Sequence, residues 1–244
     1  MTGAEIRWPK LVRTPGEAVR FIDATGFCLL FPVKRVDLPS LYFAVTRRPD
    51  ARWDSLTEMM WGWKDDLPQR RRVYYAKYFK ARGTFLSLAM LPHFLASQET
   101  ITAAGDAERL FASGRITPAA RDVWKALEEH GPLATMELRH ACGMVSRAGN
   151  ARYKQAMLDL QCLLVVTHSG TEQESHAWPS ARFDLTWRAF PKQMTAARKL
   201  QPAAARAAIA AKYREWQPDA PPQAVARLFG WSRAETAAAL QFQA

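Results

Sequence analysis

The succession of segments between Ile116 and Pro191 constrains the fold of this chain more than any other feature. TPAARDVWKALEEHGP opens with Thr117 as a cap and Pro118 at the first helical position, sets Ala120, Val123 and Leu127 on one face, and stops at Gly131-Pro132. ATMELRHACGM is a short second helix ending at Gly143, and SRAGNARYKQAMLDLQCL a third, with Tyr153, Met157, Leu160 and Leu164 at helical spacing. LLVVTHS and ARFDLTWRAF follow as two strands rich in Val, Thr, Phe and Trp, joined by the polar loop 170–180. Three helices and a hairpin in this order predict a winged helix-turn-helix, in which the third helix enters the major groove and the wing touches the backbone. The third helix carries Arg147, Arg152 and Lys154 against one acid, Asp159, a bias suited to DNA. The alternative for these charges is a solvated face on a protein-binding scaffold.

The flanking segments repeat the architecture less cleanly. Upstream, Glu17 to Ala24 reads as a helix ending near Gly26, FCLLFPV as a buried apolar run, Pro39 to Thr46 as a second helix, Leu67 to Arg82 as a third beginning at Pro68, and TFLSLAML as a strand. Downstream, Ala-rich helices are expected at about 203–216, 223–229 and 233–241. The fold class is therefore mainly α with small β wings, in tandem winged helix-turn-helix modules. An N-terminal winged-helix-like module is expected over 8–110, a central winged helix over 115–191 and a C-terminal helical, winged-helix-like module over 192–244. No sequence-level repeat links them.

Charge narrows the partner. With 34 Lys and Arg against 23 Asp and Glu, the formal charge is +11, which points to a polyanion, with nucleic acid ahead of an anionic membrane surface. No apolar run approaches the roughly 20 residues that span a bilayer, and the N-terminus lacks the apolar core of a signal peptide, so a cytoplasmic protein is expected. Cys28, Cys142 and Cys162 form no CxxC spacing and sit among apolar residues, as buried small hydrophobes do. Phosphate-cradling, dinucleotide, nucleophile-elbow and zinc-helix motifs are absent, which predicts chemistry without a nucleotide cofactor or metal.

Residues 61–82, WGWKDDLPQRRRVYYAKYFKAR, concentrate the functional candidates. Cations at Lys64, Arg70, Arg71, Arg72, Lys77 and Lys80 suit phosphates, while Trp61 and Trp63 could stack on an unpaired base. The competing reading is an amphipathic helix with its tyrosines turned inward, capped by Asp65 or Asp66 ahead of Leu67. On a helix Trp61 and Trp63 would point about 200° apart, so one or both could be core. His168, at the start of the wing, is a further candidate DNA contact; His93, His130, His140 and His176 have no evident carboxylate partner in sequence.

The strings GFCLLFPVKRVDLPSL, WGWKDDLP and LEEHGPLATMELRHACG, set among basic winged helices, resemble the AlkZ/YcaQ-like family of bacterial DNA glycosylases, and within it the shorter AlkZ-related branch. The resemblance covers residues 10 to 190. It implies an enzyme without cofactor that clasps duplex DNA and hydrolyses the N-glycosidic bond of a damaged or bulky base. The best-known members carry a Gln-x-Gln or Gln-x-Asp pair after an apolar run, where it positions the attacking water. Here the matching stretch is Phe31-Pro32-Val33-Lys34, so that pair is not carried over.

Base excision passes through an oxocarbenium-like sugar, which requires a carboxylate or amide near C1′. Asp65 is the first candidate, between aromatics and Lys64; Asp37 is the second. Lys64 or Lys34 as an attacking amine would instead give a lyase, and Lys34 is also a candidate phosphate contact. The expected partner is double-stranded DNA with a modified base, met by a monomer in repair or phage defence. The alternatives are a DNA-binding regulator and a sensor that binds modified DNA without cleaving it.

Overall fold

The computed structural model describes residues 10–99, 102–174 and 179–241. Residues 8 and 9 of the expected first module, 242–244 of the third, His176 and part of the central polar loop lie outside the described residues.

The N-terminal segment runs α1 (Pro15–Thr25), β1 (Phe27–Leu29), α2 (Leu41–Thr46), α3 (Ser55–Gln69), β2 (Tyr74–Lys77), β3 (Gly83–Leu86) and α4 (Leu91–Ser97), followed by α5 (Asp106–Ala112). The central segment runs α6 (Pro118–His130), β4 (Leu133–Ala134), α7 (Thr135–Ala141), α8 (Arg147–Cys162), β5 (Val166–Glu172) and β6 (Ser180–Leu185). The short helices α9 (Thr186–Ala189) and α10 (Pro191–Ala197) lead to α11 (Pro202–Arg214), α12 (Pro222–Phe229) and α13 (Arg233–Gln241). Both strand-bearing segments thus read helix, strand, helix, helix, strand, strand. Their antiparallel sheets also match, with orders β1-β3-β2 and β4-β6-β5.

Caps set the helix starts. Thr14 and Glu17 close a reciprocal capping box on α1, Thr117 caps α6 with Pro118 behind it, and Ser146 Oγ accepts from Gly149 N at 3.0 Å at the head of α8. Gly149 lies against the turn before its own helix, where a Cβ would meet the Met144 backbone at 2.8 Å.

One expectation fails here. Residues 67–82 are not a helix: α3 begins twelve residues earlier, at an Asp54 cap that accepts from Thr57 N, and Pro68 sits in its last turn. Arg71 takes a left-handed backbone at φ 51°, and the chain then enters β2. The reason is local: Val73-Tyr74-Tyr75 favours a pleated, half-buried surface, and the strand pairs with β3 through Tyr75↔Phe85. Alternate residues of the first sheet feed two cores. Phe27, Leu29, Tyr74, Ala76 and Leu86 face one cluster, and Cys28, Tyr75 and Phe85 the other.

The second of these clusters lies beneath α1, α2 and α3, with Ile22, Tyr42, Met60 and Trp63. The first is roofed by α4 and by the C-terminal helices, through Phe94, Met194, Ile209, Tyr213 and Val225. The C-terminal helices therefore share a core with the N-terminal sheet. A third cluster, around the fully buried Trp124, fills the central segment. Hydrogen bonds stitch the strand-bearing segments together, among them Tyr74 Oη to Val166 O at 3.1 Å, Thr167 Oγ1 to Tyr75 O at 3.1 Å, and Lys77 N to Gln161 Oε1 at 3.0 Å.

Candidate active site at the junction of the two strand-bearing segments

The last turns of α3 pack against β5 of the central sheet. The approach is close because β5 has Gly170, at φ 121°, opposite Gln69; a Cβ there would meet the Gln69 side chain at 2.9 Å. The pairing of β5 with β6 shifts register between His168 and Gly170, a bulge of the kind that re-aims a side chain. His168 is thereby brought to Asp65.

Asp65 and its neighbours form a compact charged group. Lys64 Nζ donates to Asp65 Oδ2 at 2.5 Å, and His168 Nδ1 lies 3.4 Å from Asp65 Oδ1, too loose for a well-formed hydrogen bond. The side chains are 10 %, 13 % and 8 % exposed for Lys64, Asp65 and His168. The imidazole is held edge-on between the rings of Tyr75 and Phe183, at 4.8 and 4.7 Å. Burial pushes the Asp65 carboxyl up, but His168 and Lys64 outweigh it and leave the pKa below the ordinary value. Burial pushes His168 down, partly opposed by Asp65 and reinforced by the charges of Lys64 and Lys77. At neutral pH the group is thus a carboxylate and a neutral imidazole.

An aromatic surface adjoins it. Lys64 Nζ sits 4.5 Å over the Trp61 ring, a cation–π contact. Trp61 in turn packs against Phe31 at 6.2 Å and Trp53 at 5.7 Å, and Phe31 reaches Tyr42 at 5.5 Å. Trp53 is 61 % exposed and Trp61 36 %. Phe31 is thus linked to Asp65 indirectly, through Trp61 and Lys64.

The sequence candidates divide sharply. Asp65, Lys64 and Trp61 come together. Asp37 is exposed, and its charge bears on Tyr213 of α11, on the other side of the first sheet. Trp63 is turned into the core and His168 is buried, so neither is a surface contact; helical spacing accounts for the first and the bulge for the second. Tyr74, Tyr75, Tyr78 and Phe79 are likewise committed to packing. Asp65 and Asp66 cap no following helix, since they lie inside α3. Lys34, Arg70, Arg71, Arg72, Lys77, Lys80, Arg147, Arg152 and Lys154 are all exposed. Sequence reasoning missed Trp53 and Phe31. Trp53 stands eight residues before Trp61, a spacing that signals nothing until both are placed around the start of α3. Among the described residues no group of His, Cys, Asp and Glu is arranged to hold a metal, and no helix is long and apolar enough to cross a membrane.

A mainly helical chain with two small antiparallel sheets and a carboxylate beside exposed tryptophans on a basic protein defines a candidate nucleic-acid-directed site. The model of the family described as AlkZ related matches residues 12–230, and the chain belongs to that family. Among solved structures, that of the Streptomyces sahachiroi DNA glycosylase AlkZ is similar, with a TM-score of 0.47 and 13 % identity over 91 % of this chain and 60 % of that one. The chain thus spans about 60 % of the length of that protein. No curated protein matches it.

Proposed function

We propose that this protein is a DNA glycosylase, hydrolysing the N-glycosidic bond of a damaged or bulky base and leaving an abasic site. The observation that carries the reading is the ionised, mostly buried Asp65 carboxylate at the edge of the Trp53–Trp61 surface. A carboxylate in a poorly solvated site stabilises a cationic sugar far better than one in water. The exposed tryptophans offer π-faces to a base that has left the stack. Asp65 is assigned to the oxocarbenium ion and the attacking water. Lys64, now its ion-pair partner, shifts to a flanking phosphate when DNA binds.

The matched element order and sheet order of the two strand-bearing segments support tandem winged helices, with α3 and α8 as their third helices and the exposed cations of α8 facing the duplex. In this reading the enzyme acts as a cytoplasmic monomer without cofactor or metal, and base excision serves repair or defence against phage with modified genomes.

A second reading has its own observation. Phe31, where relatives place a polar pair, is packed between Tyr42 and Trp61, which also suits a protein that binds altered DNA without cutting the glycosidic bond. Duplexes carrying alkylated, cross-linked or hypermodified bases, incubated with protein and then alkali, decide between the two. Strand breaks lost in Asp65→Asn establish the glycosylase. Tight binding with no abasic sites on any substrate assigns the sensor.

A further inference from the structure

Away from Asp65, α11, α12 and α13 enclose an open groove of about 1050 Å³. Its lining includes Arg214, Arg227 and Arg233, one from each helix, with Gln223 and Trp231, and no Asp or Glu. Arg227 and Arg233 are exposed, and Arg214 Nε is a buried atom without a hydrogen-bond partner. Glu215, next to Arg214 in sequence, is held by Lys212 at 2.6 Å, and Glu235, close to Arg233, is engaged by Ser232 N at 2.8 Å and Arg206 at 3.3 Å. Trp231 is stacked on Phe229 at 4.6 Å and 21°, which anchors the turn between α12 and α13 to the core. That turn, with Gly230 left-handed, makes α12 and α13 a helix-turn-helix. Lys80, at the tip between β2 and β3, donates to Arg227 O at 3.2 Å, so the groove joins the cations of the first sheet.

The groove thus gathers three guanidinium groups, two of them exposed and one half-buried, with no carboxylate in its lining. The geometry points to a second DNA contact, in which this groove receives the phosphate backbone of the duplex through Arg227 and Arg233. It rests on the DNA-binding reading above but not on base excision. Guanidinium groups match phosphate oxygens in a planar fork, and a helix-turn-helix lays its first helix across the backbone. The occupant is sequence-neutral, because no side chain of the groove need reach a base edge.

The test uses the full chain and an unmodified 20-base-pair duplex, with binding followed over a salt series. Each phosphate contact contributes about 0.9 to the slope of log affinity on log salt. The Arg227→Ala/Arg233→Ala variant should lose about 1.8 of slope and bind roughly 60-fold more weakly at 0.1 M salt, whatever the sequence. Arg227→Lys/Arg233→Lys, which keeps the charge, should keep most of the slope, and Arg20→Ala, at an exposed position of α1 outside the groove, should change neither quantity. Slope and affinity unchanged in the alanine variant overturn the second contact while leaving the reading of the Asp65 site intact. A wild-type protein that binds no DNA overturns that reading and the groove with it. If the alanine variant melts early, the lysine variant decides: lost slope with a wild-type melting temperature refutes a simple charge contact.

Discussion

Replacing Asp65 by asparagine removes the partner of an ammonium group that is only 10 % exposed. Removing one member of a buried ion pair costs about 3–5 kcal/mol, because the survivor is left charged and poorly solvated. Lys64 is not wholly abandoned: the Trp61 face at 4.5 Å remains, and such a contact contributes about 0.5–2 kcal/mol depending on desolvation. The net loss should be about 2–3 kcal/mol, which for a chain of this size lowers the melting temperature by about 5–10 °C. Thermal unfolding followed by circular dichroism at pH 7.5 reads it directly, and activity of the variant is then measured well below its transition. Lys64→Met/Asp65→Asn removes both charges and should return to within about 1 kcal/mol of wild type, since no uncompensated ion is left. The reasoning is refuted if Asp65→Asn costs under about 0.5 kcal/mol, as an exposed pair would. Additive losses in the double variant would refute it equally, because groups in contact must couple.

Two further outcomes follow from the same site. His168 has a folded pKa below its unfolded value, so the unfolded state takes up a proton that the folded state resists; stability is full above the unfolded value of about 6.5 and falls as the pH drops below it, by at most about 1.4 kcal/mol per pH unit. His168→Phe should flatten the fall in melting temperature between pH 7.5 and 5.5, a window in which Asp65, whose pKa is lowered, stays ionised; an unchanged profile would show that His168 titrates normally. Trp53→Ala, at a 61 % exposed position, should leave the melting temperature within about 0.5 kcal/mol equivalent. It should weaken binding to a duplex with an extrahelical base by about 1–3 kcal/mol relative to an intact duplex, and equal weakening on both would remove Trp53 from base stacking.

Much of the local structure was legible because it is encoded locally. Thr117-Pro118 and Gly131 bound α6 within a residue or two, apolar periodicity marked α8, and Val and Phe marked β5 and β6. The error at 67–82 arose where two local signals competed: Pro68 can open a helix or end one, and only the pairing of Tyr74-Tyr75 with β3 removed the ambiguity. The same pairing buried the aromatics that made the segment resemble a nucleic-acid grip.

The sequence by itself determined the mainly helical character, the three helices and closing hairpin of the centre though not the short β4 between the first two helices, the basic charge and the candidacy of Asp65. Tertiary structure alone decided which candidates share a site. Asp65 and His168 are separated by a hundred residues and meet only because Gly170 lets β5 approach α3 and a bulge turns the imidazole inward. Asp37, far closer to Asp65 in sequence than His168 is, ends beside Tyr213 of α11 instead, because the loop between β1 and α2 carries it there. Periodicity and capping act within a few residues and can be read along the chain. The environment of a charge depends on what packs over it, and that is set by contacts between segments that no local pattern records.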